Sequence, residues 1–490
     1  MLLQLGDTGP LYRRIYQALR QAILEGGLKA GARLPGSRSL ARDLGVSRIV
    51  VLAAFEQLAA EGYIVSSVGS GSHVAVQVPR MVPTRAADAA KPASRAAPAL
   101  TAYGRRARAL APHAPSPLPQ RATGVVDFYY AGTTPDARTL RQWRQALSRA
   151  AASSEVGYPD PAGSAVLRVR LAAYLREQRG VQAQADDLLV VNGSQQALDL
   201  VSRLLCGEGS RVGIEDPHYQ GARQAFLAAG ARLLPCPVDA EGFDIEQHAQ
   251  RLRGARAVYV TPSHQFPTGA IMSVERRLKL LRWAAQRGAW VVEDDYDSEF
   301  RYGVGAIPAL QGLDHAGRVL YLGTFARTLF PGLRLGYLVV PPELREAFRA
   351  AKWLADRGSA PLEQRALAAF FESGAYDSAR RRAARSLELK RQALLGALQA
   401  RFRDGELQWS GSASGTHLFL RLPRLAAAQV EAFLHHAEQH GVRLYSSRAY
   451  YLRAPRGATL ICGYTTVAPG DIASGVERLE RAYRSFPGRR

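Results

Sequence analysis

Residues 318–337, RVLYLGTFARTLFPGLRLGY, decide the fold of the larger part of this 490-residue chain. Residues 319–322 form a short continuous apolar run, which is typical of a strand that is buried on both faces. Gly323 and Thr324 are predicted to break that strand, and a loop then runs through Pro331 and Gly332 to Arg334. Residues 336–340 predict the next strand, so the stretch indicates two buried strands joined by a loop.

Short apolar runs alternate with helical patterns on both sides of this stretch. Strands are predicted at residues 188–191, 212–215, 257–261, 290–293, 319–322 and 336–340. Helical periods lie between them, for instance at residues 195–205 and 274–287. This alternation predicts an α/β fold, with a mostly parallel sheet and helices on both faces. After about residue 344, a long helical region leads to strands at residues 417–422 and 459–464, which predict a small α+β C-terminal part.

Polar turns follow several of these strands, at the edge where ligands bind in sheets of this kind. Gly193 allows close approach of the backbone, Ser194 offers a hydroxyl, and Gln195 opens a helix whose N-terminus favours a phosphate. Tyr219 follows the next strand and can stack on a flat ring. The string TPSHQFPTG at residues 261–269 is another polar loop. A capped turn needs no ligand, however, and a tyrosine in this position is as often a packing residue.

The string EDDYD at residues 293–297 crowds acids at the end of a further strand. Such a cluster is costly unless it faces water or a cation. A carboxylate beside a ring nitrogen keeps that nitrogen protonated, and Asp294 is predicted for this role, with Tyr296 donating to a ring oxygen. Thr324 and Arg334 suit a phosphate, one through its hydroxyl and the other through its guanidinium fork. The alternative is a solvated acidic loop.

Residues 9–79 predict a winged helix-turn-helix. Helical periods cover residues 11–25 and 38–44, with Ser37 as the predicted cap of the second helix. Ser47 is the predicted cap of a third helix, which ends at Gly62. Two short strands at residues 63–67 and 73–78 flank GSGS and form the predicted wing.

The third helix is predicted to enter the major groove of double-stranded DNA. Arg48 in its first turn is the predicted base contact, because a guanidinium can bond a guanine edge through two hydrogen bonds. Arg33 and Arg38 are better placed for phosphate, and the wing glycines allow close approach to the DNA backbone. The alternative is that these arginines are solvated surface residues. The predicted DNA-binding residues are Arg33, Arg38, Ser47, Arg48, Gly69 and Gly71.

Residues 80–124 contain few large apolar residues and many Pro, Ala and Arg residues. A segment of this composition cannot bury a core, so the sequence predicts a disordered linker between the N-terminal module and residues 125–490.

The formal net charge of +22 and the pI near 10.3 favour an anionic partner, with nucleic acid first. Only five of the 64 basic residues are lysine, so arginine use is a habit of the whole chain and basicity alone is weak evidence. The three cysteines are far apart, which argues against a zinc site and a disulfide framework and favours a reducing cytoplasm. No metal site is predicted. No apolar run approaches the ~20 residues that span a bilayer, so no membrane partner is predicted.

Two sets of motifs resemble known families. RLPGSRSLARDLGVSR, AAFEQLAAEGYI and GSGSHV are similar to the GntR family. YPDPAG, NGSQQAL, EDPHYQGAR, TPSHQFPTG and EDDYDSEFRY occur in the order found in MocR-type regulators, which join that module to a fold-type I aminotransferase-like domain. The resemblance covers about residues 10–480 apart from the linker. It implies a homodimeric transcriptional regulator, a small-molecule effector and pyridoxal 5'-phosphate (PLP) as cofactor, and it places Tyr158 at the phosphate bound by the partner subunit.

One position departs from the pattern of that family. The cofactor segment normally reads GTFSK, and here the lysine is replaced by Arg327 and the serine by Ala326. PLP enzymes hold the aldehyde through a lysine amine that must be able to lose its proton. Arginine stays protonated, with a pKa above ~12. We therefore expect no covalent attachment and no transaminase activity.

The resemblance also implies two arginines that bind a ligand carboxylate. The position of the first, two residues after the stacking tyrosine, is Gly221. The second lies in the C-terminal part, where several arginines remain candidates: Arg443, Arg448, Arg453 and Arg456.

Three hypotheses about function follow. The chain is a DNA-binding regulator whose large domain senses PLP held noncovalently, or an amino-acid-like or phosphate anion bound by Arg327 and Arg334. Alternatively, it is a working aminotransferase with an appended DNA module. In the third hypothesis the large domain is only a dimerisation scaffold with an empty pocket.

Overall fold

The computed structural model describes residues 5–6, 9–67, 71–77, 99–110, 124–152, 157–303, 307–455 and 457–488. The chain divides into two compact units, Met1–Ala99 and Leu100–Arg490. Across the described ranges, no helix combines the length and the apolar character that crossing a bilayer requires.

The first unit is a winged helix-turn-helix, as predicted. Its elements are α1 (Leu11–Leu24), α2 (Ser37–Asp43), α3 (Arg48–Ala60), β1 (Ile64–Ser67) and β2 (Gly71–Val74). The apolar faces of the three helices meet in one core, which contains Ile15, Leu19, Leu40, Val51 and Phe55. The two strands pair antiparallel, with Ile64 opposite Val74.

Two local predictions in this unit were wrong. Ser37 is the first residue of α2 rather than its cap, because Gly36 takes the N-cap position. The Ser37 hydroxyl instead accepts a hydrogen bond from Arg48 Nε at 3.3 Å. The second wing strand ends at Val74, four residues before the predicted end of the strand at residue 78.

Part of the predicted linker is helical. Ala102–Leu110 form α4, whereas we expected disorder throughout residues 80–124. None of its residues is buried, but Arg106 Nε donates to the Ala228 carbonyl oxygen at 3.0 Å, and its Nη1 lies 3.3 Å from a carboxylate oxygen of Glu208. Polar contacts of Arg106 therefore attach this helix to the rest of the unit. The helix buries no side chain, so the sequence shows no buried apolar face that would have predicted it. Residues 80–98 and 111–123 of the expected linker lie outside the described residues.

The second unit contains a seven-stranded sheet, a four-stranded sheet, a two-stranded sheet and a set of covering helices. Its elements follow in the order β3 (Val126–Asp127), α5 (Ala137–Ala151), α6 (Ala165–Arg179), β4 (Leu188–Val191), α7 (Ser194–Leu205), β5 (Arg211–Asp216), α8 (Gln220–Ala229), β6 (Arg232–Pro237), α9 (Ile245–His248), β7 (Ala257–Val260), α10 (Val274–Arg287), β8 (Trp290–Asp295), β9 (Val319–Thr324), β10 (Gly336–Val339), α11 (Arg345–Asp356), α12 (Pro361–Glu372), α13 (Ala375–Arg401), β11 (Gln408–Ser410), β12 (His417–Leu422), α14 (Val430–Gln439), β13 (Val442–Arg443), β14 (Tyr445–Ser446), β15 (Ala458–Gly463) and α15 (Pro469–Ser485).

The large sheet has seven strands in the order β4-β10-β9-β8-β7-β5-β6. β10 runs antiparallel to both of its neighbours, and the other neighbouring pairs are parallel. Leu188 and Val190 of β4 pack in one cluster with α6 and α12, whereas Leu189 and Val191 pack with α7 on the opposite face. The predicted α/β architecture, with a mostly parallel sheet and helices on both faces, is confirmed.

The small C-terminal sheet has the order β11-β12-β15-β14 and is antiparallel. Helices α13, α14 and α15 contribute to its core, together with Phe128 near the start of the unit. The predicted α+β C-terminal part is therefore present.

We had expected Gly323 and Thr324 to break β9, but they do not. They remain paired with β10, Gly323 opposite Tyr337 and Thr324 opposite Gly336. A Cβ atom at Gly323 would lie 2.1 Å from the Tyr337 ring, so the glycine is required for close approach and not for a turn.

A buried ion pair joins the last residue of α6 to the last residue of β8. Arg179 Nε donates to Asp295 Oδ2 at 2.8 Å, and both side chains are almost fully excluded from solvent. Tyr321 donates its hydroxyl to the same oxygen, and Arg179 Nη2 donates to Ser263 Oγ. Burial opposes the charge on Asp295, but the Arg179 guanidinium and the hydrogen bonds from Tyr321 and Ser298 together lower the pKa of that carboxyl.

Replacing Arg179 by methionine should destabilise this unit by about 3–5 kcal/mol, because it leaves the Asp295 carboxylate buried and unpaired. Urea unfolding would measure the loss. The matched control is Arg203→Met, which removes an exposed helical ion pair with Asp199 and should change stability by about 0.5 kcal/mol or less. Equal effects of the two substitutions would contradict the role assigned to the buried pair.

Candidate ligand-binding site

Gly193 and Arg334 meet at the N-terminus of α7, at the carboxyl end of β4. Arg334 Nη2 donates to the carbonyl oxygen of Asn192 at 3.0 Å. Gly193 has φ 79°, and a Cβ atom on it would lie 2.9 Å from Arg334 Nη2. Arg334 itself has φ 53° and is exposed. A guanidinium group and the free N–H groups of a helix start thus lie side by side, an arrangement that suits a phosphate.

Ser194 and Gln195 form the first turn of α7. Ser194 is the first helical residue and is half-buried, whereas Gln195 is exposed. Gln195 Nε2 donates to the Gly221 carbonyl oxygen at 3.2 Å, which ties α7 to the start of α8. A Cβ atom on Gly221 would lie 2.4 Å from Gln195 Oε1 and 2.5 Å from the Tyr219 ring. The position therefore has no space for a longer side chain.

Asp294 is buried at the end of β8 and accepts a hydrogen bond from the Tyr259 hydroxyl at 2.8 Å. Its other oxygen, Oδ1, has no hydrogen-bond partner among the residues that the structure describes. Burial raises the pKa of Asp294 to about 7, against the opposing effects of the Tyr259 hydrogen bond and the Arg327 charge. The carboxyl is therefore poised to accept a proton or to bind a cationic group through Oδ1.

Tyr296 and Thr324 lie on the neighbouring strand ends. The Tyr296 hydroxyl is buried, with no partner within the described ranges. Thr324 is half-buried, and its hydroxyl accepts a hydrogen bond from the Ala326 backbone N–H at 3.1 Å. Thr324 Oγ1 still carries a hydrogen that can be donated to a phosphate.

Arg327 extends toward an aromatic cluster. Its Nη1 donates to the Tyr130 carbonyl oxygen at 2.8 Å, and its guanidinium carbon lies 5.8 Å from the centre of the Tyr296 ring. Positive charge is thus held at the position for which the sequence resemblance predicts a lysine amine. Because Arg327 opposes the burial effect on both Asp294 and Asp297, the electrostatic field of its guanidinium group reaches both carboxyls.

The sequence analysis missed most of the aromatic wall of this site. Phe266 is central, with ring centres 5.9 Å from Tyr219, 5.9 Å from Tyr296 and 5.0 Å from Tyr450. The Tyr130 and Tyr450 hydroxyls are hydrogen-bonded to each other. Phe266 lies inside the polar string that the sequence had singled out, but nothing in the local pattern distinguishes a wall residue from a core residue.

The C-terminal arginines differ in their surroundings. Arg443 pairs with Asp127 and Glu438, so its guanidinium is already committed. Arg448 and Arg453 are exposed, and Arg456 lies outside the described residues. The alternatives for a carboxylate-binding arginine stay open.

The predicted DNA contacts lie on the separate N-terminal unit. Arg33, Arg38, Ser47 and Arg48 are all exposed, and Ser47 occupies the N-cap position of α3 without a capping hydrogen bond from its side chain. A Cβ atom on Gly71 would lie 3.4 Å from Arg33 Nε, so Arg33 lies against the wing. Gly69 is outside the described residues.

Comparisons with known proteins agree with both halves of this arrangement. Residues 11–74 match the family of bacterial regulatory proteins, gntR family, and residues 128–467 match aminotransferase class I and II. The chain is 37% identical over 480 residues to the probable rhizopine catabolism regulatory protein MocR of Rhizobium meliloti, covering 97% of this chain and 94% of that protein. It is 32% identical to the HTH-type transcriptional regulator TauR of Rhodobacter capsulatus, covering 98% of each.

A solved structure supports the fold of the large unit. The α-aminoadipate aminotransferase LysN from Thermus thermophilus, complexed with N-(5'-phosphopyridoxyl)-L-leucine, aligns with a TM-score of 0.66 and 31% identity. The alignment covers 74% of this chain and 92% of that enzyme.

The two units define a class of protein, the HTH-type transcriptional regulators with an aminotransferase-like domain. GntR-type regulators bind DNA through the winged helix-turn-helix, and fold-type I aminotransferases generally bind PLP. Within that class, the chain belongs to the MocR-type regulators of the GntR family.

Asp294 provides a test of the electrostatics of the pocket. The pKa of its carboxyl is about 7 in the folded chain and near its ordinary value of 3.8 when unfolded, so the free energy of unfolding should fall as pH rises between these values. Asp294→Asn has a neutral side chain at every pH, like the protonated carboxyl. Its free energy of unfolding minus that of wild type should therefore be about 1–3 kcal/mol larger at pH 8 than at pH 5.

Urea midpoints of both proteins at the two pH values would measure this difference. Asp199→Asn is the control, because that carboxyl lies on the exposed face of α7. The difference in free energy of unfolding between this variant and wild type should be the same at pH 5 and at pH 8. A pH-independent effect of Asp294→Asn would refute the raised pKa.

Proposed function

We propose that this regulator senses a small anionic ligand, PLP first, which its large domain holds without a covalent bond, and that it has no transaminase activity. The observation that carries the proposal is Arg327. Its guanidinium occupies the position of the family's lysine and donates to the Tyr130 carbonyl oxygen, and it cannot supply the neutral amine that a covalent bond to an aldehyde requires.

Other groups in the pocket fit PLP. The unpartnered Asp294 Oδ1 suits the ring nitrogen, the buried Tyr296 hydroxyl suits the ring oxygen, and Tyr219 supplies an aromatic face. The N-terminus of α7 with Gly193, Ser194 and Gln195, together with Thr324 and Arg334, suits the phosphate. When bound, PLP supplies an electron-withdrawing ring. Here these residues would bind and orient the group, while Arg327 adds a positive charge and no base.

A phosphate or an amino-acid-like anion fits the same charges. Arg334 and the helix N-terminus would hold one acidic group, and Arg327 could meet a second. This alternative ligand keeps the sensing function and changes only the identity of the effector.

We also infer that the working form is a homodimer, as the family resemblance implies. Tyr158, assigned by that resemblance to the partner subunit's phosphate, is 80% exposed and lies edge-on to Trp353 with ring centres 6.3 Å apart. An outward-facing aromatic ring of this kind is available to a second chain.

PLP binding can be tested by calorimetry, followed by borohydride reduction and peptide mass spectrometry. Wild type should bind PLP saturably and carry no adduct at position 327 after reduction. Arg327→Lys should carry one, because the lysine amine can bond the aldehyde. Arg327→Met is the control, since it removes the charge without adding an amine and should give no adduct at that position.

Two outcomes would contradict the proposal. The absence of saturable binding in wild type and in Arg327→Lys would favour an empty scaffold. Amino-group transfer from an amino acid to a keto acid by wild type would favour the enzyme hypothesis instead.

DNA readout is tested with duplexes selected from a random pool by the full-length protein. Arg48→Ala should weaken binding to the selected site by about 5- to 150-fold, the effect of about 1–3 kcal/mol expected for a lost base contact. Arg232→Ala is the matched control, because this exposed arginine lies on β6 of the large unit and should leave affinity unchanged. An unchanged affinity of Arg48→Ala would refute the assignment.

A further inference from the structure

Two histidines and an aspartate come together behind the aromatic wall. His264 follows β7, Asp297 follows β8 and His417 begins β12, and all three side chains are buried. One nitrogen of each histidine and one oxygen of Asp297 lie within 4.8 Å of one another. The rings of His264 and His417 meet edge to face, with centres 5.0 Å apart.

Each of the three side chains is anchored through one atom and leaves another atom without a partner. His417 Nε2 lies 3.0 Å from the Pro267 carbonyl oxygen, which can only accept, so Nε2 carries the proton and Nδ1 keeps its lone pair. His264 Nδ1 bonds Ser414 Oγ at 2.8 Å, and Thr416 donates to Asp297 Oδ2 at 2.8 Å.

The remaining atoms of the cluster are buried polar atoms for which the described residues offer no hydrogen bond: His264 Nε2, Asp297 Oδ1 and His417 Nδ1. A histidine whose other nitrogen is held by a backbone carbonyl or a neighbouring polar group is the usual arrangement of a metal ligand. Buried polar atoms otherwise find partners, so three unpartnered ones in a single cluster indicate a missing group that accepts lone pairs.

Gly415 keeps space open beside these atoms. It has φ 80°, and a Cβ atom there would lie 2.5 Å from His264 Nε2 and 2.8 Å from Asp297 Oδ2. The Tyr302 and Tyr464 hydroxyls both donate to the Gly415 carbonyl oxygen, at 2.9 and 2.6 Å, which fixes the glycine in place. Any other residue at position 415 would collide with His264 Nε2 and with the Asp297 carboxylate.

We propose that His264, Asp297 and His417 bind a divalent transition-metal ion of the zinc type. Two imidazoles and one carboxylate form a ligand set that such ions accept, with further positions left for water or a neighbouring hydroxyl. Bonds of about 2.0–2.2 Å require the three ligand atoms to move together by roughly 1 Å. The Arg327 charge acts on all three side chains.

The ion would have a structural role, because its ligands come from separate parts of the unit. His264 and Asp297 stand at the end of the large sheet, and His417 stands on the small sheet. A bound ion would therefore fix the two sheets to each other behind Phe266 and Tyr296. The proposal does not depend on PLP, since none of the three ligands belongs to the set assigned to that cofactor.

The test uses the full-length protein, stripped with a chelator and then given Zn²⁺ alone. Wild type should retain about one zinc per chain after dialysis and should melt at a temperature at least about 3 °C higher than the stripped protein. Substitution with Co²⁺ should give visible absorption from nitrogen and oxygen ligands. His264→Gln, Asp297→Asn and His417→Gln should each lose the zinc and the thermal shift.

The matched control is His248→Gln, which alters a buried histidine on α9 outside the cluster and should keep one zinc. Circular dichroism of each stripped variant separates loss of the ion from loss of the fold, and the cobalt spectrum of wild type requires no variant. Retention of less than about 0.2 zinc per wild-type chain, or equal zinc in the three variants and the control, would overturn the proposal. Sulfur-to-cobalt charge transfer would also overturn it, because it would place the ion on cysteine.

Discussion

The Arg179–Asp295 ion pair sets the electrostatics of the large unit. Five acidic side chains are buried near the ends of parallel strands: Glu215, Glu293, Asp294, Asp295 and Asp297. Arg179 forms an ion pair with only one of them, Asp295. Burial raises the pKa of Glu215, Asp294 and Asp297 to about 7, because no cation is bonded directly to any of these three in the described part of the chain. The oxygens of these carboxyls that lack a hydrogen-bond partner among the residues described can accept a proton or bind a cationic group. The proposed contact of Asp294 with the ring nitrogen of PLP and the proposed contact of Asp297 with a metal ion both use that property.

Much of the fold could be predicted because strands that are buried on both faces are continuous apolar runs. Leu188–Val191 is such a run, buried on both faces, and its predicted bounds match the structure. Arg232–Pro237 was missed because it is partly exposed and carries prolines at two positions, so it forms no continuous apolar run. Ala102–Leu110 was missed because its helix is held by polar contacts and buries no side chain.

Residues of the candidate site could be predicted only where each of them stands at the end of a strand that the sequence reveals. Asp294, Tyr296 and Gly193 stand at strand ends, and the rule that ligands bind there needs no knowledge of the tertiary fold. His264 and His417 come from different sheets, and no spacing rule joins positions so far apart in the chain. Their contact depends on how the small sheet packs on the large one, which periodicity cannot show.

Gly221 has a consequence for how the pocket can change. A side chain at this position would collide with Gln195 and with Tyr219, two residues that the pocket itself uses. A lysine restored at position 327 would thus find no anchor for a substrate carboxylate at position 221, and an arginine introduced there would first displace the stacking ring. Amino-group transfer would therefore require changes at both positions 327 and 221, together with movement of the side chains packed around residue 221.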